Sequence, residues 1–297
     1  MSGVDRRTMI GALAAAALGR SGAAAVTAPH LSDPESQRVS ASAPQRLKQS
    51  VSRWPYESIP LPEFARKCKR IGLAAIDLLQ PEEWKVVQDV GLVASMGYPS
   101  KRNDFLTTGF NDVNNHAMLL RELEASLPQA AAAGVPNVIT MFGNRHGMSD
   151  PQGRDNSIAG LRQIAPLAEQ VGVTLCVELL NSRIDHHDYQ GDHAAWGVEV
   201  MQGVGSPRVK LLYDIYHMQI MDGDIIRTIR DNIQYLGHFH TGGVPGRHEL
   251  DDTQELNWRA VARAIADLGF QGFVTHEFVP TKDPMKSLKE AFEICTV

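Results

Sequence analysis

Four stretches in the second half of the chain set a strong metal-ligand side chain into an otherwise apolar run. "CVELLN" carries Glu178, "LLYDIYH" carries Asp214 and His217, "GHFHTGG" carries His238 and His240, and "VTHEFVP" carries His276 and Glu277. Taken singly, each has an ordinary explanation, because strand-end carboxylates are commonly solvated or ion-paired and rim histidines commonly hydrogen-bonded. Their coincidence asks for more. Glu178, Asp214, His240 and Glu277 sit where an unpaired charge is costly to bury, and three carboxylates brought together without a cation raise one another's pKa values. A shared divalent cation removes both costs. Three oxygen donors and one imidazole suit Mn2+ or Mg2+.

Such convergence needs elements that bring four distant segments to one point. From Leu47 the sequence alternates short β-branched runs with amphipathic ones, several of the latter closed by glycine. The strand-like runs are "LKQSVSRWPY", "LAAIDLL", "LVASMGY", "VPNVITMFGN", "VTLCVELLN", "VKLLYDIYHM", "GHFHTGG" and "FQGFVTHEF". Between and after them, the pattern predicts helices over "LPEFARKCKRIG", "PEEWKVVQDVG", 114–134, 158–172, 192–204, 223–235, 257–269 and "DPMKSLKEAFEIC". Parallel strands joined by helical crossovers satisfy this alternation. Eight such units predict an α/β fold, a single (β/α)8 TIM barrel over 47–297. The competing open sheet would favour a glycine-rich phosphate turn after its first strand, and "SRWPYESIPLPE" is not one.

In a barrel of this kind chemistry gathers at the carboxyl ends of the strands. His238 and His240, two apart, point to one side in successive layers while Phe239 points to the helices. His240, nearer the carboxyl end, is the expected ligand, and His238 a support. Gly242 and Gly243 let the chain turn sharply out of the strand. Arg247 is either an ordinary loop arginine or a fork for a substrate carboxylate or polyol. Trp54, expected on the first strand, is a candidate wall for sugar carbons.

Composition narrows the partners. The 297 residues carry a net charge of -5 and no basic stripe, which argues against nucleic acid. The three cysteines, Cys68, Cys176 and Cys295, are too scattered for a disulfide framework and read as core thiols. Arg6 and Arg7 ahead of the uncharged run from Thr8 to Gly19 predict a twin-arginine signal peptide over 1–28, and hence export to the periplasm. Without a functional signal the protein stays cytoplasmic. The run is too short for a membrane anchor, and residues 29–46 read as a disordered leader. The helical outer face leaves room for a homo-oligomer, though no patch marks an interface.

The motifs "VELLN", "YDIYHMQIMDGD", "GHFHTGGVPGRHE" and "GFVTHEFVP", in this order, resemble the xylose-isomerase-like TIM-barrel superfamily of sugar isomerases and epimerases, and within it the hydroxypyruvate isomerase branch. The likeness runs more weakly through "SVSRWPY", "IDLLQPEEW" and "VITMFGNR". It implies metal ligands at Glu178, Asp214, His240 and Glu277, an acid/base pair at Glu178 and Glu277, and His217 near the substrate oxygens. The implied substrate is a sugar or hydroxyketoacid, isomerised through an enediolate. Histidine at 240 follows the ketose 3-epimerases of the superfamily, whereas the hydroxypyruvate branch commonly has glutamine there. Isomerisation and epimerisation therefore both stay open, as does a non-catalytic carbohydrate-binding barrel. Endonuclease chemistry, which some barrels of this superfamily perform, would need more histidine ligands and a basic face.

Overall fold

A computed structural model describes residues 46–297. The expected signal peptide and, but for Arg46, the expected leader lie outside them. The strands are β1 (Lys48–Val51), β2 (Ala75–Ile76), β3 (Val93–Ala94), β4 (Asn137–Met141), β5 (Thr174–Glu178), β6 (Val209–Asp214), β7 (Leu236–Thr241) and β8 (Phe273–His276). The helices are α1 (Leu61–Ile71), α2 (Pro81–Gln88), α3 (Val113–Ala132), α4 (Asp150–Val171), α5 (Ala194–Val204), α6 (Ile215–Met221), α7 (Ile225–Asn232), α8 (Trp258–Asp267) and α9 (Pro284–Cys295). All strand pairings are parallel. Six strands form one sheet in the order β1-β8-β7-β6-β5-β4, and β2 pairs with β3. Single bridges stitch the two sheets together, Ser52 to Asp77 on one side and Gly97 to Val138 on the other. The result is a TIM-barrel-like fold whose amino-terminal staves are held by very short ladders.

The alternation expected around His240 is present. Phe239 packs outward against Tyr213 and Phe270 at ring distances of 6.1 and 4.8 Å, while His238 and His240 lie inside, edge to face at 5.2 Å. All three cysteines are buried and free. Among the described residues no helix is long and apolar enough to cross a membrane.

Three differences from the sequence reading have physical causes. "VKLLYDIYHM" is not one strand: it ends at Asp214, whose Oδ1 accepts the amide N–H of His217 at 3.2 Å and caps α6. A short polar residue at the end of a strand is also a good helix start, so this segment adds a ninth helix among the described residues. Helix α4 begins eight residues before the expected Ile158, because Ser149 accepts from the Gln152 amide and Pro151 fits the first turn. Its polar opening has no apolar period to reveal it. Gly243 does not supply a left-handed turn; a Cβ there would lie 2.2 Å from the Glu249 carbonyl oxygen, so its role is close packing of the β7 exit against the returning loop.

Candidate active site

Four neighbouring strands deliver the predicted cluster. Glu178 is the last residue of β5, Asp214 of β6, His240 stands one before the end of β7, and Glu277 follows β8 directly. One potential ligand atom from each lies within 4.8 Å of the others, and all four residues are buried. Two of the four, Glu178 and Glu277, line a cavity of about 640 Å³ together with Trp54, Tyr98, Phe105 and Leu180, and Asp214 and His240 lie buried behind them.

His240 sets the polarity of this cluster. Its Nε2 donates to Asp77 Oδ2 at 2.9 Å, which in the neutral ring leaves Nδ1 with a lone pair. That Nδ1 stands 2.6 Å from Glu277 Oε2, 3.3 Å from Glu178 Oε1 and 4.0 Å from Asp214 Oδ2, yet makes no hydrogen bond. A buried ring nitrogen without a partner among three carboxylates fits a cation held jointly by all four groups. A carboxylate behind the imidazole is the usual device for fixing a ligating tautomer.

Asp77 was not among the residues singled out in the sequence, although it is the one charge in "LAAIDLL" and obeys the same rule that marked the other acids. Its Oδ2 also lies 3.0 Å from His238 Nε2, and its Oδ1 accepts from Ser95 Oγ at 2.7 Å. His238 thus supports Asp77 instead of facing the cavity, and its Nε2 is 2.8 Å from Thr275 Oγ1. Burial alone would raise the Asp77 carboxyl, but His238 and His240 outweigh it and hold the group well below the usual range.

Charge in the cluster is unevenly placed. Burial and the neighbouring glutamates push Asp214 up to about 7, despite the opposing Arg247. For Glu277, burial is outweighed by His240 and Arg247, and its carboxyl is depressed. Burial disfavours charge on His240, but Glu277, Asp77 and Glu178 raise its pKa well above the ordinary value, so the surroundings of Nδ1 favour positive charge: a proton in the metal-free site, a metal ion on the lone pair when one is bound.

The three residues expected to meet substrate stand as follows. Trp54 is not on β1 but in the 3-10 turn Trp54–Tyr56 beyond it, whose first turn takes Pro55. Its half-exposed indole lines the cavity, as expected of a wall, and also donates Nε1–H to Glu277 Oε1 at 2.5 Å. Arg247 is no free loop arginine: its Nη2 bonds Asp214 Oδ2 at 3.0 Å and Glu277 Oε2 at 2.6 Å. His217 lies on α6, not on a strand. Its Nδ1 accepts the Asn181 amide N–H at 3.1 Å, so the proton sits on Nε2, which has no hydrogen-bond partner and lies 3.6 Å from Asp214 Oδ2. Burial and Arg247 keep this ring neutral.

Comparison with known proteins agrees with this architecture. The family model "Xylose isomerase-like TIM barrel" matches residues 37–295. A Homo sapiens protein named "Putative hydroxypyruvate isomerase" is 28% identical over 261 residues, 84% of this chain and 86% of its own. The "D-psicose 3-epimerase" of Ruminiclostridium cellulolyticum is 35% identical over 127 residues, 41% of this chain and 40% of its own. Among solved structures, a family 2 AP endonuclease from Brucella melitensis superimposes with a TM-score of 0.74 at 22% identity, covering 82% of this chain and 97% of that one; this likeness speaks to the fold. The curated relatives of this chain carry isomerase and epimerase names, which supports an enzyme of the isomerase class. The chain belongs to the xylose isomerase-like TIM barrel family.

Proposed function

We propose that this protein is a divalent-metal-dependent isomerase that interconverts an α-hydroxyketone or hydroxyketoacid with its aldehyde isomer through an enediolate. The observation that carries the reading is His240 Nδ1, buried among three carboxylates and hydrogen-bonded to none. Glu178, Asp214, His240 and Glu277 would hold Mn2+ or Mg2+, and the cation would supply Lewis-acid polarisation of the ketone oxygen, which acidifies the adjacent C–H.

The chain's own groups do the rest. Glu178 and Glu277 reach the cavity floor from β5 and from the end of β8, so substrate can lie between two carboxylates, one removing a proton from carbon and the other returning it. Glu277 is oriented by the Trp54 indole on one oxygen. His217, fully buried with its Nε2–H 3.6 Å from Asp214 Oδ2, stands behind that carboxylate, and Arg247, which lines the cavity, offers a positive charge to an oxygen that gains negative charge as the C–H bond breaks. Return of the proton to the neighbouring carbon isomerises. Return to the opposite face of the same carbon gives the second reading, a ketose 3-epimerase, favoured by the likeness to a D-psicose 3-epimerase.

The test is proton NMR in heavy water with added Mn2+ removed before reading, over a panel of hydroxypyruvate, ketotetroses and ketohexoses. Wild type should incorporate deuterium at one carbon, and Glu277→Gln should lower that rate by roughly 10³-fold while retaining the melting behaviour of the fold. Turnover of no panel member with either metal would sink the enzymatic reading and leave a binding barrel. Unimpaired exchange in Glu277→Gln would remove Glu277 from the chemistry.

A further inference from the structure

Arg247 sits at the charge centre of the acidic cluster. Its Nη2 bonds Asp214 Oδ2 and Glu277 Oε2, and these are the oxygens that face His240 Nδ1 at 4.0 and 2.6 Å. A cation shared by the four side chains would therefore bind the same two oxygens as the guanidinium, bringing two positive charges into close mutual repulsion. The position of the arginine is built into the fold. The guanidinium carbon lies 5.4 Å from the Trp54 ring and 5.3 Å from the Tyr216 ring. Its Nε donates to the Glu277 carbonyl at 3.3 Å, and its own carbonyl accepts from Val279 N at 2.7 Å. The residue adopts a φ of +57°, a left-handed backbone that is uncommon outside glycine and asparagine and persists where its surroundings over-determine it. Two aromatic faces give the guanidinium a cation–π platform along which it can slide off the carboxylates without losing every partner.

We propose that Arg247 is an intrinsic counter-cation of the metal site: it neutralises Asp214 and Glu277 in the metal-free protein and is displaced from both when a divalent cation enters. Displacement lowers the affinity for the cation and turns the guanidinium toward the cavity, where substrate lies. The inference rests on the metal reading above and adds an order of events to it. The opposite arrangement, in which Arg247 stays on the carboxylates and supports them as ligands, makes the reverse prediction.

Calorimetric titration of the full chain with Mg2+ separates the two. Arg247→Met should bind Mg2+ roughly tenfold or more tightly than wild type, since a unit positive charge beside a divalent ion is removed. Its metal-free melting temperature should fall below that of wild type, and saturating Mg2+ should close the gap. Arg247→Lys, which keeps the charge, should stay near wild type in affinity. Equal or weaker binding by Arg247→Met, with wild type binding normally, overturns the proposal and leaves the metal reading standing. Absence of Mg2+ binding by wild type sinks both. Should Arg247→Met fail to fold even with Mg2+, Arg247→Gln, neutral and still able to hydrogen-bond, takes its place in the same titration with the same deciding outcomes.

Discussion

The two halves of the barrel are built to different standards. From β4 to β8 the strands are four to six residues long and paired in ladders, with one register shift between β6 and β7, and each of the last four brings one acid or imidazole to the cluster at its carboxyl end. On the other side β2 and β3 are two residues each and join their neighbours through single bridges. The amino-terminal half nevertheless touches the cluster twice, through Asp77 behind His240 and through Trp54 on Glu277. Long ladders fix four donors at mutual distances a cation can bridge. Short ones suffice for residues that act on those donors through one hydrogen bond each.

The largest effect expected from the weakly laddered side is at Asp77. Asp77→Asn keeps the volume but replaces the charge that two imidazoles share, and loss of a carboxylate behind a ligating histidine typically costs 10–100-fold in metal affinity. Titration of the variant with Mg2+ should show a loss of roughly that size with the barrel intact. Affinity unchanged from wild type would mean that β2 contributes shape alone, and the division of labour between the halves would be drawn in the wrong place.

This asymmetry also explains what could be seen in the sequence. The long strands and amphipathic helices give clear periodicities, so the barrel and its four acid or imidazole donors were legible from residues 47 onward. Asp77 obeyed the same burial rule, but its strand is two residues long and its charge looks like a loop residue in a weak element. Trp54 was recognised as a wall, not as a donor, because the 3-10 turn that aims its indole depends on Pro55 and on the first bridge to Asp77. The helical placement of His217 was hidden by the β-like composition of "LLYDIYHM", where capping by Asp214 overrides propensity. Arg247 could be placed near substrate or on an ordinary loop with equal reason, since only the tertiary fold shows which carboxylates it meets.

A smaller effect is expected from pH, and it again divides the halves. Asp214, pushed up to about 7, and His240, raised above its ordinary value, bind protons more tightly in the folded metal-free site than in the unfolded chain. Their contribution to stability is full below the unfolded values of about 3.9 and 6.5 and is lost as pH rises through the raised folded ones. Asp77 and Glu277, both depressed, contribute stability that is present above about 4 and is lost only as pH falls below it. Below about 6.5 the buried, neutral His217 and His276 oppose the first pair, because their unfolded forms take up protons there. Between about pH 6.5 and 8 they add no slope and the first pair governs, so the metal-free protein should melt lower at about pH 8 than at about pH 6.5, about 1 kcal/mol moving the midpoint by roughly 2–4 °C in a domain of this size. Saturating Mg2+ should flatten the curve. A midpoint that rises with pH over that window in the metal-free protein would show that the carboxylates are already balanced without a cation.

The smallest effect should come from Trp54. Trp54→Phe keeps an aromatic wall and a face for Arg247 but removes the N–H that holds Glu277 Oε1. The indole is 37% exposed, so water can take over the vacated acceptor and the loss stays near the ordinary net worth of a hydrogen bond, roughly threefold to tenfold in rate. If the indole orients Glu277 for proton transfer, kcat should carry most of that loss and KM little. If it serves only as a wall, the phenyl ring should replace it at no cost in kcat, and Glu277 would owe its orientation to Arg247 and His240, both contributed by the strongly laddered half.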